Sequence, residues 1–114
     1  MEFSTYKDER GLLSVAEIPK DFVVKRIFWI EAPKGALRGQ HGHFRNKMYM
    51  ILQFGRIELN NILANGSNQI LSLEETGQTT FIDCNVWHEI RFNERSLVLC
   101  LNSHSYDKED YFYL

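Results

Sequence analysis

Two histidines stand two residues apart in the stretch Gly35-Ala-Leu-Arg38-Gly39-Gln-His41-Gly42-His43. On a β-strand, side chains alternate with a period of 2, so both rings would leave the same face of a sheet. Two imidazoles side by side are either a proton-handling pair or half of a metal site. Plain packing explains such a pair poorly, because His is only an intermediate core residue. Arg38 lies just upstream, and its permanently charged fork suits a carboxylate or a phosphate. A cation, two titratable bases and three glycines within nine residues make a site before any fold is considered.

The elements that position these residues read as strands. Residues 22–30 are rich in β-branched and aromatic types. Residues 36–44 carry the two histidines, and 47–54 follow as a strong strand ended by Gly55. Residues 56–63 form another, and Asn65-Gly66 is the best hairpin turn in the chain. Four more short strands are expected at 69–73, 79–83, 88–92 and 96–101, with a further short one at 12–18 stopped by Pro19. Residues 1–11 read as a polar lead-in with a turn at Asp8–Gly11. No segment of convincing length has a helical period. Short strands at close spacing predict an all-β antiparallel sandwich or jelly-roll barrel, one domain over 1–114. Met48, Met50, Leu52 and Phe54 are expected on one face, and His88, Ile90 and Phe92 on another.

With 114 residues the chain is long enough to fold on one core. Hydrophobic residues make up 44% and charged residues 25%, which suits a globular protein. A net charge of −2 argues against non-specific nucleic-acid binding, which needs a basic surface. It leaves room for a small anion held by a local Arg or Lys. Cys84 and Cys100 form no CxxC, and Cys100 reads as a core thiol in Leu97-Val-Leu-Cys-Leu101. The N-terminus lacks an apolar signal core, and no apolar run approaches the ~20 residues of a membrane span. A cytoplasmic protein without membrane contact is the expectation.

The spacing around the histidines resembles the cupins, whose small β-barrels hold ligands among inward side chains. Their first motif is a Gly, five residues, HxH, three or four residues, Glu, six residues, Gly. Gly35, His41, His43, Met48 and Gly55 reproduce that spacing. The second motif ends in a His eleven residues after a Gly, as with Gly77 and His88. Met48 stands where metal cupins have the ligating Glu. A thioether is a poor ligand for the hard or borderline metals usual there, so no metal and no cofactor are expected. Three imidazoles, His41, His43 and His88, keep a metal site as the competing reading.

Five segments narrow the resemblance. Arg38-Gly-Gln-His41-Gly-His43 is similar to the "RGxHAHK" segment of the nucleotide-sugar 3,4-ketoisomerases. Phe22 to Ile30 is similar to their "F-x-x-K-R-v-y-y-I" strand. Val86-Trp87-His88-Glu89-Ile90 resembles "vWHE", and Tyr106 to Tyr111 resembles "YdesDY". The opening Asp8 to Gly11 resembles "D-x-R-G". The RGxH core also resembles the dTDP-4-dehydrorhamnose 3,5-epimerases. The chain departs from the pattern at Gly42, usually Ala, at Phe44, usually Lys, and at Met48, usually Gln. A family Tyr near Trp29 and Glu31 is missing.

The resemblance implies an isomerase that moves the keto group of dTDP-4-oxo-6-deoxyglucose from carbon four to carbon three. It implies His41 as base and His43 as second acid/base, with His88 orienting substrate. Arg38 would hold the diphosphate or sugar oxygens, provided that a bulge at Gly39 re-aims it. In an unbroken strand Arg38 points away from His41. Arg45 and Lys25 are reserve phosphate partners, and Trp29 and Trp87 are aromatics that either stack on the substrate or pack the core. The resemblance further implies a homodimer with exchanged strands. Its product would feed an aminotransferase that makes an amino sugar for a surface polysaccharide. The alternatives are a 3- or 5-epimerase, a nucleotide-sugar-binding cupin without turnover, and a metal-dependent cupin.

Overall fold

The computed structural model describes residues 3–114. It has eleven strands: β1 Phe3–Asp8, β2 Gly11–Ala16, β3 Arg26–Ala32, β4 Leu37–His43, β5 Met48–Phe54, β6 Ile57–Ile62, β7 Asn68–Leu73, β8 Thr79–Ile82, β9 Trp87–Phe92, β10 Ser96–Asn102 and β11 Tyr111–Phe112. One 3₁₀ turn, Lys108–Asp110, precedes β11. All pairings are antiparallel. A four-stranded sheet runs β3-β10-β5-β8, a five-stranded sheet runs β11-β4-β9-β6-β7, and β1-β2 form a separate hairpin. The expected all-β sandwich is the fold.

The two large sheets face each other across the core. Met48, Met50 and Leu52 of β5 meet Ile57 and Leu59 of β6, Ile90 and Phe92 of β9, and Val98 and Cys100 of β10. Each apolar side chain of this kind contributes about 1.5–3 kcal/mol when removed from water. Central β5 is covered on its second face as well. Tyr49 and Ile51 form a smaller cluster with Leu101, beneath Ala16, Ile18 and Phe22. Burial on both sides explains why Met-Tyr-Met-Ile-Leu shows no polar alternation. Cys84 and Cys100 are both free, and Cys100 is fully buried.

Three expectations need correction. The lead-in over 1–11 is largely strand, since Phe3–Asp8 pairs along its length with β2; positions 1 and 2 lie outside the described residues. The hairpin closes where the Asp8 carboxylate accepts the Arg10 amide at 2.8 Å. The strand expected from residue 22 begins at Arg26, and Phe22 instead sets its ring against Tyr49. Phe54 leaves the face of Met48, Met50 and Leu52. The β5–β10 register shifts so that Leu97 faces Phe54 while Val98 faces Leu52, and the bulge turns Phe54 outward. The Asn65-Gly66 turn forms as expected, with Gly66 at φ 87° and the Asn65 side chain accepting the Ser67 amide. Among the described residues no helix is long and apolar enough to cross a membrane.

Candidate active site

One end of the sandwich opens into a cavity of about 340 Å³. That is within the range of small-molecule sites. Strand β4 supplies Arg38, His41 and His43, β9 supplies His88 and Ile90, and β3 supplies Arg26, Phe28 and Ile30. Met48, Met50 and Cys100 form its apolar floor, and Tyr111 closes it from the C-terminal side.

The required bulge is present in β4. Arg38 lies opposite Ile90 and Gly39 opposite Glu89, but His41 lies opposite His88, so Gln40 is the extra residue. Gly39 has φ 86° and Gln40 φ 62°. Such backbone is costly for a side chain other than Gly, and a bulge is where it occurs. The Gln40 amide bonds the Glu89 carboxylate at 3.0 Å on the outer face. The slip restores phase: Arg38 and His41, three residues apart, both border the cavity.

The bulge also sets the tautomer of His41. The Gly39 carbonyl lies 2.9 Å from His41 Nδ1. A carbonyl only accepts, so the proton sits on Nδ1 and Nε2 keeps its lone pair. His41 has its ring centroid 5.2 Å from His43, 4.9 Å from His88 and 4.7 Å from Tyr111. Tyr111 is also 4.5 Å from His43. Burial lowers the pKa of His41, opposed by its bond to Gly39. Burial and the neighbouring His41 push His43 down to about 4. Burial pushes His88 down to about 3, helped by the other two imidazoles. All three rings are therefore neutral at pH 7, as proton acceptors must be.

His88 is 2% exposed, and its Nδ1 has no hydrogen-bond partner. Among the described residues no three His, Cys, Asp or Glu side chains are arranged to hold a metal ion. Met48, at the position of the usual ligand, is a buried floor residue.

Two expected contacts are corrected. Arg45 does not line the cavity; its guanidinium pairs with Asp107 at 2.9 Å and Asp110 at 3.3 Å. Trp87 does not line it either. It precedes inward His88 on the strand, so alternation sends it to the outer face, opposite Ile62 of β6. Lys25 is likewise absent from the lining, while Trp29 borders the cavity but is 67% exposed, out of phase with Arg26, Phe28 and Ile30.

Two residues were missed. Arg26 brings a second cation to the cavity, over the rings of Phe28 at 5.0 Å and Tyr106 at 5.2 Å. Its alternation with Phe28 and Ile30 was the available signal. Tyr111 lies 68 residues after His43 and is brought beside it by the pairing of β11 with β4. No local pattern points to that contact, although both residues fall in segments that resemble the ketoisomerases.

The family model described as WxcM-like, C-terminal (FdtA) matches residues 1–113. The chain belongs to this family. No curated protein matches the sequence. Solved structures do. A variant of QdtA, a 3,4-ketoisomerase from Thermoanaerobacterium thermosaccharolyticum, in complex with TDP-4-keto-6-deoxyglucose, is 26% identical with a TM-score of 0.85, covering 98% of this chain and 83% of that one. A 3,4-ketoisomerase from Helicobacter canadensis is 29% identical with a TM-score of 0.84, over 96% and 85% of the two chains. A dTDP-6-deoxy-D-glucose-3,5-epimerase from Legionella pneumophila shares the fold at 17% identity and a TM-score of 0.83, over 97% and 69%. This chain and these neighbours thus share one fold, into which this chain places three histidines, two arginines and a tyrosine.

Proposed function

We propose that this protein is a nucleotide-sugar 3,4-ketoisomerase, acting on a dTDP-4-oxo-6-deoxyhexose. The observation that carries the reading is the neutral His41, its Nδ1–H held by Gly39 and its Nε2 free, within 5.2 Å of His43 and 4.7 Å of Tyr111 in one cavity. The ketoisomerase structures above support the substrate class.

A 4-oxo group acidifies the proton on carbon three. His41 Nε2 takes that proton, and the electron pair moves to form an enediolate across carbons three and four. The proton of the carbon-three hydroxyl passes to the oxygen on carbon four, and return of a proton to carbon four leaves a 3-oxo, 4-hydroxy sugar. Tyr111, with its ring 4.7 Å from His41 and 4.5 Å from His43, is the group that returns the proton, and His43 relays it. Arg38 and Arg26 are cations for the diphosphate and the developing oxyanion. His88 lies at the cavity wall, and Trp29 at its rim is available for stacking. The apolar floor of Met48, Met50 and Cys100 keeps bulk water from the intermediate.

The protein acts as a homodimer on this reading. The outer face of the β3-β10-β5-β8 sheet exposes Ile27, Trp29, Phe54 and Phe81, and the β1-β2 hairpin exposes Tyr6, Leu12 and Leu13. Exposed apolar side chains on these two elements support that reading. Light scattering at micromolar concentration should give twice the monomer mass; a monomer there would contradict the assignment. The two free cysteines agree with a reducing, cytoplasmic setting.

Proton NMR of dTDP-4-oxo-6-deoxyglucose in deuterated water tests the reaction. Wild type should produce a 3-oxo sugar that His41→Asn does not. Deuterium uptake without movement of the carbonyl would make the protein an epimerase. Binding without either would make it a non-catalytic nucleotide-sugar module, and an unchanged, unbound substrate would rule this sugar out.

A further inference from the structure

The C-terminal segment reaches the site through one buried carboxylate. Asp110 is 5% exposed. Its Oδ1 accepts the backbone N–H of Arg45 at 2.8 Å, and its Oδ2 accepts that of Asn46 at 3.1 Å. Its backbone carbonyl accepts the N–H of Phe44 at 2.8 Å. Three consecutive amides of the turn after β4 thus converge on one residue. That turn follows His43 directly, and Asp110 directly precedes Tyr111, which pairs with His43.

Neighbouring groups brace the same junction. Asn46 Nδ2 donates to Asn102 Oδ1 at 2.9 Å, and Asn46 Oδ1 accepts the His104 N–H at 3.1 Å. Arg45 spans Asp110 and Asp107, and Asp107 caps the 3₁₀ turn through the Glu109 amide. Hydrogen bonds to an ionised acceptor are about twice as strong as neutral ones. Burial works to raise the pKa of Asp110, but the Asn46 and Arg45 amides and the Arg45 guanidinium hold it below the usual carboxylate value. The carboxylate itself does not border the cavity, so it serves the site only through its neighbours.

We propose that Asp110 is a positioning residue: by gathering the Phe44, Arg45 and Asn46 amides, it sets the distance of Tyr111 from His41 and His43. The inference rests on the reading of Tyr111 and the histidines as the proton-handling groups. It assigns the carboxylate of the C-terminal Asp-Tyr pair to geometry and the phenol to chemistry.

Two measurements test it. The first needs no substrate. Ring-to-ring NOEs between Tyr111 and His43 are recorded in selectively labelled wild type, Asp110→Asn and Asp110→Ala, with methyl resonances of Leu52 and Val98 reporting the core. The NOEs should weaken in Asp110→Asn, which keeps one acceptor, and vanish in Asp110→Ala, while the methyl spectrum stays native. If Asp110→Ala does not fold, Asp110→Asn carries the comparison. Unchanged NOEs in Asp110→Asn would overturn the proposal.

The second is a double-mutant cycle on turnover. A misplacement near 1 Å can cost about 100-fold in rate, so Asp110→Asn should lower kcat by about 10- to 100-fold with KM little changed. In a Tyr111→Phe background the same change should cost little more. Losses that multiply would show that Asp110 acts independently of the phenol, against the proposal. A wild type inactive on every nucleotide sugar, with the NOE dependence intact, would overturn the isomerase reading and support the positioning role.

Discussion

Arg38 and His41 border one cavity although three residues separate them on a strand. Gln40 is the residue that the β4–β9 ladder skips, and its left-handed backbone restores the phase. The same bulge supplies the Gly39 carbonyl that fixes the His41 tautomer. One local irregularity therefore brings Arg38 and His41 to the same cavity and sets the proton of the imidazole.

Arg38→Ala should weaken dTDP binding by about 10- to 100-fold, the size of a lost charge-assisted hydrogen bond. Isothermal titration with dTDP reads this directly. Deleting Gln40 should leave dTDP affinity near wild type, because Arg38 and His41 would then be two residues apart and still share a face, but should lower turnover, because the bulge that sets the Gly39 carbonyl against His41 Nδ1 is lost. Wild-type affinity in Arg38→Ala would show that Arg38 does not hold the ligand.

The histidine shifts predict an activity profile. The base must be neutral, and burial keeps His41 neutral below its ordinary value of 6.5. The acid limb of kcat/KM should therefore lie below pH 6.5, with little change between pH 7 and pH 8. A limb centred at or above 6.5 would show that His41 is not the desolvated base.

The same groups predict how stability responds to acid. An unfolded chain binds protons on these histidines near pH 6.5, whereas folded His43 and His88 do so only near 4 and 3. Their neutral burial contributes fully above pH 6.5 and is lost as the pH falls toward those values. Urea midpoints should drop steadily from pH 7 to pH 4.5. His88→Gln should flatten that slope, and a wild-type midpoint unchanged by pH would contradict the burial of neutral imidazoles.

Gly42 has a specific cause. A Cβ there would run into the Phe112 ring and sit 2.7 Å from the Val86 carbonyl oxygen. Gly42→Ala should cost about 1–3 kcal/mol through overpacking and displace β11. Gly42→Ala combined with Phe112→Leu should recover part of the loss in thermal unfolding. No loss in the single variant would show that β11 yields easily.

Several features were legible in the sequence for local reasons. Period-2 alternation put His88, Ile90 and Phe92 on one buried face, and all three are 2% exposed or less. The Asn65-Gly66 turn follows from backbone preferences of two residues. The His41/His43 pair needs only a strand to share a face. The need for a bulge at Gly39 could be stated from the odd spacing of Arg38 alone.

What lay beyond the sequence depends on contacts between distant segments. Phe54 leaves its expected face because the ladder to β10 slips, and Trp87 and Arg45 are claimed by the outer face and by Asp107 and Asp110. Tyr111 meets His43 through the pairing of β11 with β4, a contact between segments far apart in the chain. Most of the strands, the sandwich and the shared face of His41 and His43 could be read from the sequence, since those follow from side-chain periodicity. Tertiary structure alone decided which cations and which phenol join them, since register and long-range hydrogen bonds, rather than local pattern, bring those groups together.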